Sequence, residues 1–260
     1  MHIVKDFLRV ISIQTFVVVA ISCFATFLCL QYDVFIDLPT ALIGIAIIFP
    51  IVFSINAAYR RREEALGHFA SLKGHGVALY YAHRDWVPEN NPEDAQRMKQ
   101  LIDDLLRSIH SYFSAKNGDG ELFQDVYQRF SDISESMEKL RTAGVSNSEI
   151  SRCNQYMRAM MIDFERMRNI YLYRTPTTLR AYSHIFLNTF PILFAPYFAN
   201  LADESYTVTG YLVAAFYGLV LVSLDNIQED LESPYDQIGA DDLNLNVADQ
   251  YNRILNDKTK

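Results

Sequence analysis

The chain has 260 residues, a net charge of −8 and a hydrophobic fraction of 50%. Its mean hydropathy near zero resembles that of a water-soluble protein, but an average hides segregation of apolar and charged residues. The acidic balance, with no basic patch interleaved with aromatics, argues against nucleic acid, and Cys23, Cys29 and Cys153 lack zinc-ligand spacing or a disulfide framework and read as small buried thiols.

Crossing a bilayer takes about 20 consecutive apolar residues. Four windows reach that length without a charge, with His taken as neutral: 10–32, 38–59, 181–202 and 205–224. A soluble helix would place charges on its exposed face, so these windows are predicted to be transmembrane helices. The first is too long for the apolar part of a signal peptide, and a second follows almost at once. Lys5 and Arg9 precede the first window, Arg60, Arg61 and Arg62 follow the second, and Arg174 and Arg180 precede the third. The turns QYDVFIDLP and ADESYTVTG contain acids and no base. Basic residues stay on the cytoplasmic side, so both termini and the middle segment are expected in the cytoplasm. The short turns imply two antiparallel hairpins, and the expected location is a plasma or bacterial inner membrane.

The second window holds small and polar residues (Thr40, Ala41, Gly44, Ala46, Ser54 and Asn56), which permit close approach of neighbouring helices. Pro50 lies inside it and is expected to bend it. Leu42, Ile45, Phe49 and Phe53 recur at helical spacing and form one stripe. Such a stripe faces lipid or another helix, or else forms an apolar constriction around an oligomer axis, which gates by dewetting. The window then breaks into FSINAAYRRREEA, where the arginines hold one end at the cytoplasmic surface.

Residues 60–180 are polar and predict a helical bundle, and residues 225–260 a cytoplasmic C-terminal segment. HRDWVPENNPED and KNGDGE are expected loops. Between them Met98, Leu101, Ile102, Leu105 and Ile109 form a helical stripe, read as core packing. Gly144 is a candidate C′ glycine, and Ser146 with Glu149 a capping box. His68 and His75 share a helix face, without an acidic partner at ligand spacing. His184, one turn after Arg180, is expected to reach for the interface. Pro234 should end the last span's helix. Asp230, Glu232, Asp236, Asp241 and Asp242 are dense in oxygen, as a hard cation requires, but they do not match an EF-hand loop and read as a solvated acidic turn. Phosphate-loop, dinucleotide, zinc-protease and serine-hydrolase motifs are absent from the sequence, so no enzyme is expected.

Three stretches, in order, resemble the bestrophin family. In LPTALIGIAIIFPIVFSINAAYRRREEALGHFASL, Phe53, Asn56, Tyr59, Arg61 and Glu64 match the family signature. Ser54 and Leu66 stand where the family has Arg, and Phe69 where it has Trp. Further on, Glu165, Arg166, Thr175 and Pro176 match, with about five extra residues, IYLYR, between the two elements they represent; Tyr182 and His184 are one residue closer together than the family pattern expects. In the last stretch Ile227, Glu232, Pro234, Asp242 and Leu243 match, whereas Tyr235 and Asp236 replace Phe and Gly.

The resemblance implies an all-α membrane protein and a homopentameric, passive ion channel, most members being anion-selective, here with chloride as the expected ion. It implies an apolar neck on the second span, for which Leu42, Ile45, Phe49 and Phe53 are the candidates. Asn56, Arg61 and Glu64 are then structural contacts at the vestibule entrance. No cofactor is expected. Animal members have a calcium clasp, and Asp230, Ser233, Asp241 and Asp242 occupy nearby positions here, without the full acidic run. A cation-selective channel and a non-conducting scaffold or sensor are the alternative readings.

Overall fold

The structure, a computed structural model, describes residues 10–37, 39–87, 92–115, 119–173, 176–204, 207–237, 239 and 241–255. Among these residues every regular element is a helix: α1 Ile13–Gln31, α2 Thr40–Asp85, α3 Pro92–Ser114, α4 Gly120–Thr142, α5 Asn147–Leu172, α6 Thr177–Leu193, α7 Ala195–Glu204, α8 Thr207–Glu232 and α9 Ala248–Ile254. The all-α expectation is met. Four helical stretches are long and apolar enough to cross a membrane: Ile13–Gln31, Ile43–Asp85, Thr178–Ala202 and Val208–Glu232.

The predicted spans differ from the helices at their ends. The first begins at Ile13, because Ser12 caps it: Thr15 N–H donates to Ser12 Oγ and Ser12 N–H to Thr15 Oγ1, a reciprocal box. The second is part of one unbroken helix that runs through Pro50 to Asp85, so the expected loop at HRDWVPENNPED loses its first three residues to α2. Pro92 opens α3, a position where its missing N–H costs nothing. The third span is divided at Phe194. Pro196 has no N–H to offer the Ile192 carbonyl, and the Phe194 N–H closes the last turn of α6 on the Phe190 carbonyl at 3.0 Å. The fourth continues to Glu232 and stops before Ser233-Pro234, as the proline predicts.

The chain divides into two compact units, one made of 1–61, 174–233 and 239–241, the other of 62–173, 234–238 and 242–260. In the first, α1 packs on α6, α7 and α8. Thr15, Val18, Ser22 and Thr26 form its buried row, whereas Ile13, Phe16, Phe24 and Phe27 face outward. Polar inside and apolar outside inverts the order of a soluble helix and suits a lipid surround. Close approach within the unit depends on Gly210 and Gly218. A Cβ on Gly210 would lie 2.3 Å from the Phe198 carbonyl oxygen, and one on Gly218 would lie 3.2 Å from Val19 Cγ2. A Cβ on Gly44, one of the small residues of the second span, would meet nothing within 4 Å among the described residues.

The second unit is a helical bundle. Met98, Leu101, Ile102, Leu105 and Ile109 are all buried in its core, as their spacing predicts. The end of α4 is a Schellman turn: Gly144, at φ +87°, gives its N–H to Arg141, and the next N–H, that of Val145, returns to Leu140. Ser146 caps α5 by accepting the Glu149 N–H, but the Glu149 carboxylate turns to Arg152 at 3.1 Å, so only half of the expected box forms. The C-terminal segment is bound into this bundle. Tyr235 stacks on Phe113 at 4.5 Å, Leu243, Leu245 and Val247 alternate inward with exposed Asn244 and Asn246, and the Tyr80 hydroxyl donates to the Leu255 carbonyl.

Candidate functional site

Within the first unit α2 has two unlike faces. Residues four apart stack along one side of a helix, and Ile43, Ile47, Ile51 and Ile55 form such a row. Ile47 and Ile51 are buried in a cluster with Leu187, Phe194, Phe198, Ala214 and Leu221, and Ile43 and Ile55 pack against it. Ile45, Phe49 and Phe53, the stripe proposed from spacing, lie on the uncovered side and are 55%, 59% and 62% exposed. Ile48 and Val52, absent from the sequence-based stripe, are exposed there too. The rings of Phe49 and Phe53 are 6.0 Å apart and tilted by 39°. The Leu42 side chain lies outside the described residues.

Asn56, three residues beyond Phe53, is exposed, and no hydrogen bond joins its side chain to another described residue. Arg61 is half-buried and Glu64 exposed. Ser54, standing where the resemblance expects Arg, is fully buried, without a hydrogen-bond partner for its hydroxyl among the described residues. It continues the inward row of Ile47 and Ile51 toward Ala58, so it is turned away from the Ile45–Phe49–Phe53 stripe.

A polar network joins α1, α6 and α8. His184 Nδ1 lies 2.7 Å from Asp225 Oδ2, and the Asn188 amide donates to the same oxygen at 2.8 Å. Gln14 on α1 donates to Asn188 Oδ1 at 2.7 Å. The next residue, Asn226, holds the chain ahead of α1 by donating to the Val10 carbonyl at 2.7 Å and to Ser12 Oγ at 3.1 Å. His184 remains half-exposed, but it is anchored on a carboxylate rather than simply reaching for the interface. Farther along, Arg180 Nη1 lies 3.8 Å from Glu232 Oε2, and Gln228 Nε2 donates to Glu232 Oε1 at 3.1 Å. Sequence reading placed Asp225 and Gln228 in no site; the steps of three residues from Asp225 to Gln228 and four from Gln228 to Glu232 are the signal that one face of α8 collects them.

In the second unit Asp163, nearly buried on α5, is the acid that the His68–His75 pair lacks in the sequence. Its carboxylate lies 3.1 Å from His68 Nδ1 and 4.0 Å from His75 Nδ1. The distance in sequence, 95 residues for His68, hides the contact. Glu165, a residue of the resemblance, accepts the Tyr127 hydroxyl at 2.6 Å and lies 3.4 Å from Arg168. Burial, with the hydrogen bond to the Glu165 carboxylate, pushes the Tyr127 phenol up to about 12. Of the suggested cation ligands, Asp230 is half-buried in the last turn of α8, Ser233 follows the helix, Asp241 is exposed and Asp242 half-buried. Among the described residues no three His, Cys, Asp or Glu side chains stand together in a way that would hold a metal ion.

No protein-family model and no curated protein matches the sequence. Solved structures match over nearly the whole chain. A variant of a bacterial bestrophin homologue from Klebsiella pneumoniae aligns with 94% of this chain and 98% of its own, at a TM-score of 0.78 and 18% identity. A second variant of a Klebsiella pneumoniae bestrophin homologue aligns with 95% and 97%, at 0.79 and 19%. A structure described as a membrane protein aligns with 93% and 94%, at 0.79 and 17%. The chain thus has the fold of the bacterial bestrophin homologues over nearly its whole length.

Proposed function

We propose that the chain is the subunit of a passive ion channel in a lipid membrane, conducting anions such as chloride, with α2 from each of five copies around a common axis. The observation that carries this reading is the division of α2 into two faces. Its Ile47–Ile51 row packs on the chain's own helices, whereas Ile45, Phe49 and Phe53 are left uncovered, the rings of Phe49 and Phe53 following one another along the helix. Around an axis these side chains make an apolar neck, which conducts when wetted and closes when it dries. The positive rims of edge-on rings favour an anion that has shed part of its water. The bestrophin-homologue fold supports the channel reading, with Asn56, Arg61 and Glu64 where the α2 stripe gives way to charge. Both termini and the helical bundle belong to the cytoplasmic side in this reading, because the basic residues cluster there.

The test is the reversal potential of the purified protein in planar bilayers under a potassium chloride gradient, for the wild type and for Phe49→Ala. Reversal at the chloride potential, with conduction altered by the substitution, is the expected result. Reversal at the potassium potential replaces anion by cation, the alternative favoured by the net charge of −8. Absence of current together with monomeric or dimeric particles in detergent removes the axial pore and leaves a membrane scaffold.

A further inference from the structure

We propose that a cleft between the charged ends of α6 and α8 binds a small organic cation through a primary ammonium or guanidinium group. The cleft has a volume of about 580 Å³ and is lined by Arg180, His184, Asp225, Gln228, Glu229 and Glu232. Ligand pockets for small molecules span roughly 300–1,000 Å³, so the space suits a molecule rather than a bare ion. Three carboxylates face one guanidinium, which leaves an excess of negative charge with or without a charge on His184.

The carboxylates are unequally satisfied. Asp225 is held by His184 and Asn188. Glu232, whose side chain is only 2% exposed, receives one hydrogen bond among the described residues, from Gln228, and its second oxygen stands 3.8 Å from Arg180, beyond hydrogen-bond length. A carboxylate has about four acceptor positions, and leaving them empty in a buried setting is costly. Gln228 repeats the pattern: it is 2% exposed, and its Oε1 has no hydrogen-bond partner among the described residues. Two nearly buried side chains on adjacent turns of α8, both lining the cleft, therefore carry acceptors that are not fully used among the described residues. A group with several N–H donors and a positive charge supplies what both lack. A metal ion fits less well, because the acids are not grouped for coordination. An anion fits poorly, because it would meet three carboxylates.

The proposal concerns binding and does not depend on which ion the protein conducts. Isothermal titration of the purified full-length protein in detergent, with 1,4-diaminobutane as the probe, tests it directly. Saturable binding is expected, weakened about tenfold or more in Glu232→Gln, since a hydrogen bond to a charged group is worth about 1.5–3 kcal/mol. Glu229→Gln, at the exposed edge, should keep the fold and weaken binding several-fold. Arg180→Gln should tighten it several-fold, because Arg180 competes for Glu232; a purely structural role for Arg180 would not produce that gain. Tetramethylammonium, a cation without N–H groups, should displace the diamine poorly. Absence of saturable binding to the wild type overturns the proposal. Equal displacement by tetramethylammonium overturns it too, as does unchanged affinity in both acid variants, since either would reduce the effect to diffuse charge attraction.

Discussion

Ser22 on α1 donates its hydroxyl to the main-chain carbonyl of Pro191 on α6 at 2.6 Å. The break at Phe194 takes this carbonyl out of the regular helical ladder, and in an apolar surround an unused backbone acceptor is expensive. The bond thus satisfies the broken helix and fixes α1 against it. Ser22→Ala should lower unfolding stability in detergent by about 0.6–1.7 kcal/mol, from the average to the largest value found for hydrogen bonds between helices in membranes. Ser22→Thr keeps the hydroxyl and should lose less. Denaturant titration of the three proteins decides it; an alanine variant as stable as the wild type would show that the bond contributes nothing.

The two faces of α2 should respond differently to truncation. Ile51 is 2% exposed and lies in the packed cluster, so Ile51→Ala should cost about 2–5 kcal/mol through lost burial and a cavity. Phe49 is uncovered in the chain, so Phe49→Ala should leave the fold of the subunit within about 0.5 kcal/mol of the wild type. Conduction should follow the opposite order, with Phe49→Ala changing it and Ile51→Ala acting only through the amount of folded protein. Thermal melts paired with single-channel records measure both, and a large loss of subunit stability in Phe49→Ala would contradict the assignment of faces.

The helices were legible because they rest on local rules. Charge-free windows, the period of Met98 to Ile109, Gly144 and Ser146 each act within one or two turns. The stripe Ile45–Phe49–Phe53 was legible for the same reason. Which face of α2 packs was not, since Ile47 and Ile51 are as apolar as Ile45 and only the partner helices distinguish them. Asp163 and Asp225 were missed because their partners lie 95 and 41 residues away. The inward alternation of Leu243, Leu245 and Val247 was present in DLNLNV as a period of two, but a six-residue pattern in an acidic tail is easily read as solvated loop. The split of the third window at Phe194 had its signal in Pro191 and Pro196, whose effect depends on which carbonyls find other donors.

Close approach of the first-unit helices depends on Gly210 rather than on Gly44. A Cβ at 210 would meet the Phe198 carbonyl at 2.3 Å and the Ala202 Cβ at 2.6 Å, so Gly210→Ala should force α7 and α8 apart at a cost of about 1–3 kcal/mol. A Cβ at 44 would meet nothing within 4 Å among the described residues, and Gly44→Ala should gain up to about 1 kcal/mol from helix propensity. Melting temperatures in the same detergent check the pair. Equal losses at both positions would mean that general helix effects, not the Phe198 contact, govern these sites.

His83 gives the bundle a pH dependence of defined sign. The residue is buried, its Nδ1 donates to the Leu79 carbonyl at 2.8 Å, and burial outweighs the nearby carbonyls and Asp94 to push its proton affinity below the ordinary value. The folded protein therefore holds a neutral imidazole, while the unfolded chain takes up a proton near pH 6.5. Below that pH the unfolded state binds more protons, so stability falls as pH falls, by at most about 1.4 kcal/mol per unit, until the folded-state pKa is reached. Above pH 6.5 this residue contributes no slope. The sole tryptophan, Trp86, packs against the same core, so its fluorescence reports unfolding of the bundle directly. Denaturant curves at pH 7.5 and 5.5 should show a loss of stability in the wild type that is reduced in His83→Gln, which cannot titrate. An identical pH slope in the two proteins would remove His83 as its source.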